Sequence, residues 1–436
     1  VAAHARAARR ILQRAGDRQD EGDVRGSLAS AGAAGVDHRP HQTAHGRPDL
    51  TTPSVDVIVV NWNGKADTLA CLAAAEPQLA EVHGSMITVV DNGSTDGSIA
   101  EITAKFPRVR FLPLGVNRGF TGGLAAALAT SRARHVVFLN NDAIPEHGWL
   151  AAIAHAIDHA PDDVVSVGGK IVSLDGERID FIGGVMTFDG HAFQNGFRMP
   201  LGAREEPKSG DDILFACGGN MISRREALLD LGGFDDDYFA YLEDVDFGWR
   251  TWIAGKRATY EPRAVVRHAS SATSNRLGNF ERGVLFERNA LQTAIKNYED
   301  LRESAGAIFF TYLHRLHHYA TTRNRDAAEL TREPFTAEKK HDRRERLSST
   351  TIDDPLTAMQ FRAFDWIVRN ETHLAEKRAK VQAMRRRSDR EIFERFPLQI
   401  VPTYPGDAAL MSGPLFRLLR SELPAAERAL DEIIKP

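Results

Sequence analysis

The sequence predicts an α/β protein, with a mostly parallel sheet covered on both faces in the first two-thirds of the chain and helical sequence after it. Three observations carry this. Short apolar runs such as Val57-Ile58-Val59-Val60 alternate with helix-periodic segments, as strands buried on both faces should. Several runs end in polar side chains, namely Asn61-Trp62-Asn63, Asp91-Asn92-Gly93-Ser94 and Asn140-Asn141-Asp142, and open sheets bind ligands beyond the carboxyl ends of their strands. After about residue 276 the alternation stops and long, charged, helix-periodic stretches take over.

Residues 1–52 are rich in Ala, Arg, His, Gly and Asp without apolar periodicity, so they are expected to form a disordered extension that buries too little surface to offset its ordering entropy. Strands are predicted at 55–60, 86–91, 108–112, 135–140 and 164–171, with helices near 65–76, 97–106, 121–132 and 147–159 between them. Residues 178–215 carry the turn signals Gly183-Gly184, Asp189-Gly190 and Gly196 and read as irregular hairpins. A strand is expected near 258–261, ahead of Val265-Val266-Arg267 and His268. Beyond it helices are predicted at 279–300, 305–323, 356–388 and 414–433, with a charged loop over 324–352. The domain reading is therefore 1–52 extension, 53–275 catalytic domain and 276–436 helical C-terminal domain.

Composition narrows the function. A chain of 436 residues that is 42% hydrophobic can bury a substantial core, and a net charge of −4 gives no global attraction to nucleic acid. Two cysteines, Cys71 and Cys217, exclude a disulfide framework and fit a reducing compartment, so cytoplasmic residence is expected. No stretch approaches the roughly 18 apolar residues of a spanning helix, and the first residues lack the apolar core of a secretory leader. Lys377, Arg378, Lys380, Arg385, Arg386, Arg387 and Arg390 form a basic stretch, read either as a solvated face or, near Phe393 and Phe396, as a peripheral contact with anionic lipid. The C-terminal helices are also a candidate surface for self-association.

The motifs suggest nucleotide and metal chemistry. At a strand end, the Asp91 carboxylate can accept from ribose hydroxyls or a pyrimidine N3–H, or cap the next helix as an Asx-turn. Gly115-Val116-Asn117-Arg118-Gly119 opens an Ala-rich helix; amides at a helix N-terminus suit a diphosphate, although glycine for close packing is the alternative. Asn140-Asn141-Asp142 offers oxygen ligands to a hard divalent cation, with Asp142 the one anion. In Glu243-Asp244-Val245-Asp246, Glu243, Asp246 and Arg250 share a helical face while Asp244 points elsewhere. His268 is a neutral nitrogen ligand or a structural imidazole.

In this order the motifs resemble the inverting family 2 glycosyltransferases of the GT-A fold, over about residues 54–275. The resemblance implies a nucleotide-diphospho-sugar transferase fold with a mostly parallel mixed sheet. It places Asn61, Asp91, Asn117, Arg118, Gly119 and Asn141 among the residues that bind the nucleotide-sugar, and Gly218 and Gly219 beside the donor sugar and acceptor. Asn140-Asn141-Asp142 stands where the family has a metal-binding Asp-x-Asp, so Asp142, Asn140 and His268 are the expected ligands of Mn²⁺ or Mg²⁺. The first Asp of that pattern is replaced by Asn140, which implies weaker metal binding. The Asp of the Glu243-Asp244 pair is the family's catalytic base. The motifs look most like bacterial rhamnosyltransferases and galactofuranosyltransferases, implying dTDP-rhamnose or a UDP-sugar as donor and a cell-envelope glycan or glycolipid as acceptor. Two rival readings are a nucleotidyltransferase, for which only Lys65 follows the first strand, and a non-catalytic glycan-binding scaffold on the same fold.

Overall fold

The computed structural model describes residues 54–269, 279–322 and 355–435. The expected extension at 1–52 and loop at 324–352 lie outside these residues. The main sheet is built from β1 (Val55–Asn61), β2 (Ser85–Asp91), β3 (Arg110–Pro113), β4 (His135–Asn140), β5 (Ala143–Pro145), β6 (Val164–Ser173) and β7 (Ile179–Phe181). A hairpin of β8 (Gly184–Met186) and β9 (Ala192–Gln194) stands apart, and β10 (Asp212–Ile213), β11 (Asn220–Arg224) and β12 (Arg257–His268) complete the sheet. The order across it is β10-β12-β6-β11-β4-β1-β2-β3, with β5 on β12 and β7 on β6. Strands β4, β1, β2 and β3 run parallel, as does the β6–β12 pair, while β11 is antiparallel to both neighbours.

Helices cover both faces: α1 (Lys65–Ala75), α2 (Ser98–Lys105), α3 (Gly119–Thr130), α4 (Trp149–His159), α5 (Arg225–Asp230) and α6 (Glu243–Ile253). Strand β1 shows why an unbroken apolar run belongs here. Val57 and Val59 enter one core cluster and Ile58 and Val60 the opposite one, as the period of two requires. Every strand and helix expected between residues 55 and 173 is present within a few residues of its predicted limits.

Three features differ from expectation. Strand β11 falls where the sequence predicted no element, yet it pairs with β4 and β6 and joins the two parallel blocks. The helix expected over 356–388 is two helices, α9 (Pro355–Arg369) and α10 (Glu371–Ala383), broken at Asn370. The helix expected over 414–433 is one short helix, Pro414–Leu419, followed by a strand, Ala425–Glu427. Pro424 lacks an amide hydrogen and excludes its predecessor from helical geometry, and the strand pairs in parallel with Leu398–Ile400.

The C-terminal helices share the core of the sheet. On α6, Trp249 meets Tyr298 and Phe393 edge-on at 4.9 and 5.4 Å, and Trp252 meets Phe396 at 5.0 Å. Tyr298 closes the helix α7 (Asn279–Asn297), which is followed by α8 (Leu301–Thr322) and, after α10, by α11 (Asp389–Arg395). In the basic stretch on and just after α10, Lys377, Arg378 and Arg385 are partly buried and make contacts inward. Lys377 pairs with Asp235 and Asp237, Arg378 donates to the carbonyls of Ile295, Tyr298 and Glu299, and Arg385 pairs with Asp389. Those side chains staple α10 and the segment after it to the catalytic half, and Phe393 is fully buried, while Lys380, Arg386 and Arg390 are exposed.

Candidate active site

A cavity of about 510 Å³ opens at the carboxyl ends of β1 and β4. One wall comes from the turns after β1, β2 and β3. Asn61 holds this wall together from inside: its Nδ2 donates to Asp91 Oδ1 (3.0 Å) and Ser98 Oγ (2.9 Å), and its Oδ1 accepts from Gly64 N and Thr68 Oγ1. It is fully buried and frames this wall from within, while its neighbour Trp62 lines the cavity. Asp91 is likewise set back, accepting from Asn61 and from Ser94 N (3.0 Å).

Asn92, which sequence reasoning passed over, faces the cavity and ties two turns together. Its Oδ1 accepts from Arg118 N (2.8 Å), and its Nδ2 donates to Asn117 Oδ1 (3.0 Å) and Gly119 O (2.8 Å). Asn117 and Gly119 line the cavity, whereas the exposed Arg118 is not among its lining residues. Gly119 has φ +76°, and a Cβ there would lie 2.4 Å from Phe239 O, so only glycine fits.

The opposite wall brings Asn140, Asn141, Asp142 and His268 together. Strand β5 pairs antiparallel with the end of β12, setting His268 against Ala143 and so beside Asp142, 126 positions away in the chain. His268 Nε2 lies 3.0 Å from Asp142 Oδ1 and 3.2 Å from Asn140 Nδ2, while its Nδ1 is 3.0 Å from Asp180 Oδ2. Burial pulls the imidazole down, but the two carboxylates outweigh it and raise its pKa to about 10. Asp180, unmarked in the sequence, thus fixes the ring and directs Nε2 toward Asp142. Asn141 Nδ2 donates to Thr68 Oγ1 (3.1 Å), anchoring the triplet to α1. Among the described residues no group of three or more His, Cys, Asp or Glu side chains is arranged as a metal-binding cluster.

Glu243 and Asp244 open α6 between the two walls. Asp244 Oδ2 accepts from Gly218 N (3.0 Å), its Oδ1 accepts from Val245 N (2.8 Å), and the side chain remains partly open to the cavity. Burial raises its pKa, although those amides pull the other way. Glu243 is buried, and its Oε2 has no hydrogen-bond partner. Burial, followed by the neighbouring Asp244 charge, pushes its carboxyl up to about 8. Asp246 is engaged elsewhere, with Arg250 at 2.9 Å and Lys296 at 3.0 Å. A Cβ at Gly219 would sit 2.9 Å from Asn140 Nδ2 and displace that amide, whereas Gly218 has room for one and contributes its amide instead.

Residues 56–232 match the model of Glycosyl transferase family 2. The chain is 30% identical over 227 residues to the N-acetylglucosaminyl-diphospho-decaprenol L-rhamnosyltransferase of Mycobacterium tuberculosis, covering 46% of this chain and 72% of that one. It is 29% identical over 231 residues to the pre-mycofactocin glycosyltransferase of the same organism, covering 52% of this chain and 45% of that one. Among solved structures, GalNAc-T7 with UDP, GalNAc and Mn²⁺ aligns over 60% of this chain and 50% of that one, with a TM-score of 0.47 and 14% identity. The site is that of a glycosyltransferase. The chain belongs to glycosyltransferase family 2, and Asp244, His268 and the helices after them lie beyond the residues the family model matches.

Proposed function

We propose that this glycosyltransferase is an inverting, divalent-metal-dependent enzyme that moves a sugar from dTDP-rhamnose or a UDP-sugar to a hydroxyl of a cell-envelope glycan or glycolipid. The observation that carries the reading is the meeting, across one cavity, of a carboxylate–imidazole pair (Asp142–His268) and a second carboxylate (Asp244) held by a backbone amide.

The donor set suits Mn²⁺ or Mg²⁺. Such ions take one or two carboxylates and complete their shell with substrate phosphates, and an imidazole whose other nitrogen rests on a carboxylate is oriented for coordination. Asp142 and His268 would hold the ion, with Asp180 behind His268 and Asn140 as a neutral neighbour. When bound, it offsets the charge developing on the leaving diphosphate. Asn92, Asn117 and Gly119 border the nucleotide, and Gly219 lets the donor approach the backbone. Asp244 takes the acceptor hydroxyl proton as that oxygen attacks the anomeric carbon. Its raised pKa makes it a stronger base than a solvated carboxylate.

The L-rhamnosyl donor and diphospho-lipid acceptor named for the mycobacterial relative support the substrate classes. Aromatic walls at Phe181, Phe193 and Phe286, with Arg198 and Arg282 beside them, give the acceptor end apolar and cationic character suited to a glycolipid. Among the described residues no helix is long and apolar enough to cross a membrane. Cytoplasmic residence is part of the proposal, supported by Cys71 and Cys217, both free thiols.

A thermal-shift titration with UDP, dTDP and GDP, each with and without Mn²⁺, tests this reading. A nucleotide at about 100 times its dissociation constant adds roughly 2.7 kcal/mol of stability. The expected outcome is Mn²⁺-dependent stabilisation by UDP or dTDP that Asp142→Ala abolishes. No response to any nucleotide would move the scaffold reading to the front.

A further inference from the structure

The loop that leads into Glu243 and Asp244 is strained. Phe239 (φ +63°), Tyr241 (φ +72°) and Leu242 (φ +64°) all lie where side-chain-bearing residues rarely sit. The same loop lines the cavity and touches the nucleotide wall, since Phe239 O accepts from Thr121 N (3.2 Å) and packs against Gly119. A backbone in this state persists only when its surroundings over-determine it.

We propose that Asn289 and Arg288, adjacent residues of α7, are positioning residues that hold this loop in the shape that presents Asp244 to the cavity. Asn289 is fully buried, and its Nδ2 donates to the carbonyls of Tyr238 (3.0 Å), Ala240 (2.7 Å) and Tyr241 (2.7 Å). Its orientation is unambiguous, because Oδ1 accepts from Gln292 Nε2 (2.9 Å) and Arg288 Nε (3.0 Å). Arg288 Nη2 reaches the carbonyls of Asp237 (2.6 Å) and Tyr238 (2.8 Å), and its guanidinium lies 4.9 Å from the Trp366 ring centroid. Five contacts to loop carbonyls thus come from two side chains on a helix beyond the family-matched residues. Arg288 and Asn289 thus support the catalytic centre from behind the loop, without lining the cavity themselves.

The kinetic part of this inference rests on Asp244 acting as base; the structural part does not. The test compares wild type, Asn289→Asp and Arg288→Met as full chains. Asn289→Asp replaces the donor with an acceptor of the same shape. Hydrogen exchange at amides 239–246 should rise about tenfold or more, with β1 and β4 unchanged. UDP and dTDP should bind with Mn²⁺ as before, while nucleoside diphosphate release from dTDP-rhamnose or a UDP-sugar falls on the order of 10²-fold in kcat. Unchanged exchange at 239–246 in both variants overturns the proposal, as does unchanged kcat in a variant whose loop exchange has risen. If Asn289→Asp does not fold, Arg288→Met decides alone. A wild type that turns over neither donor would tell against the proposed function, and the exchange comparison would still decide the holding of the loop.

Discussion

The two walls of the cavity are built in different ways. The wall proposed for the nucleotide is local: strand-end turns within residues 61–119 bond to one another through Asn61, Asp91 and Asn92. The wall bearing Asp142 and His268, and Asp244 between the walls, are assembled over long separations, by β5 against β12, by Asp180 behind His268, and by α7 behind the strained loop. The first wall can therefore keep its form on its own, while the rest of the site depends on the whole chain.

That dependence is broken most forcefully at the aromatic seam. Phe393→Ala removes a fully buried ring from Trp249 and Tyr298 and should cost about 3–5 kcal/mol. Because this ring belongs to the core cluster of the sheet, calorimetry should show one transition at lower temperature. Two separate transitions would make the C-terminal helices an independent domain.

Glu243 sharpens the comparison through pH. Its folded pKa, raised to about 8, stands above the ordinary 4.5, so the folded state holds a proton that the unfolded state gives up between those values. Stability from this group is fully present below pH 4.5 and is lost as pH rises toward 8. Glu243→Gln should be more stable than wild type at pH 8, by on the order of a few kcal/mol, and nearly equal at pH 4. Parallel stability curves for the two proteins would contradict the raised value.

A smaller effect is expected at Asp180. Asp180→Asn leaves the ring of His268 in place but weakens its orientation, and Mn²⁺ affinity should fall about 10- to 100-fold by calorimetry in the presence of UDP or dTDP. Unchanged affinity would place His268 outside the metal site.

The same contrast explains what was legible in the sequence. Strands β1, β2 and β4 are buried on both faces, so they appear as apolar runs, and their polar ends announce the nucleotide wall. Asp142, Asp244 and His268 stood out because acids and a histidine at element ends are chemically conspicuous. For Asn61 the sequence leaves a buried framing amide and a ligand-binding amide alike, and only its partners show that it frames the wall. Strand β11 was hidden by its five-residue length and the glycines before it. Asp180 and Asn289 carry no local signal: their roles come from contacts 88 and about 50 positions away.

The most direct measurement is on Asp244→Asn, which keeps the shape and removes the charge. Calorimetric titration with UDP or dTDP and Mn²⁺ should match wild type, while sugar transfer falls by about 10²- to 10⁴-fold, the range of a lost general base. Retained transfer, or loss of nucleotide binding together with activity, would contradict the assignment of Asp244 as the base between the two walls.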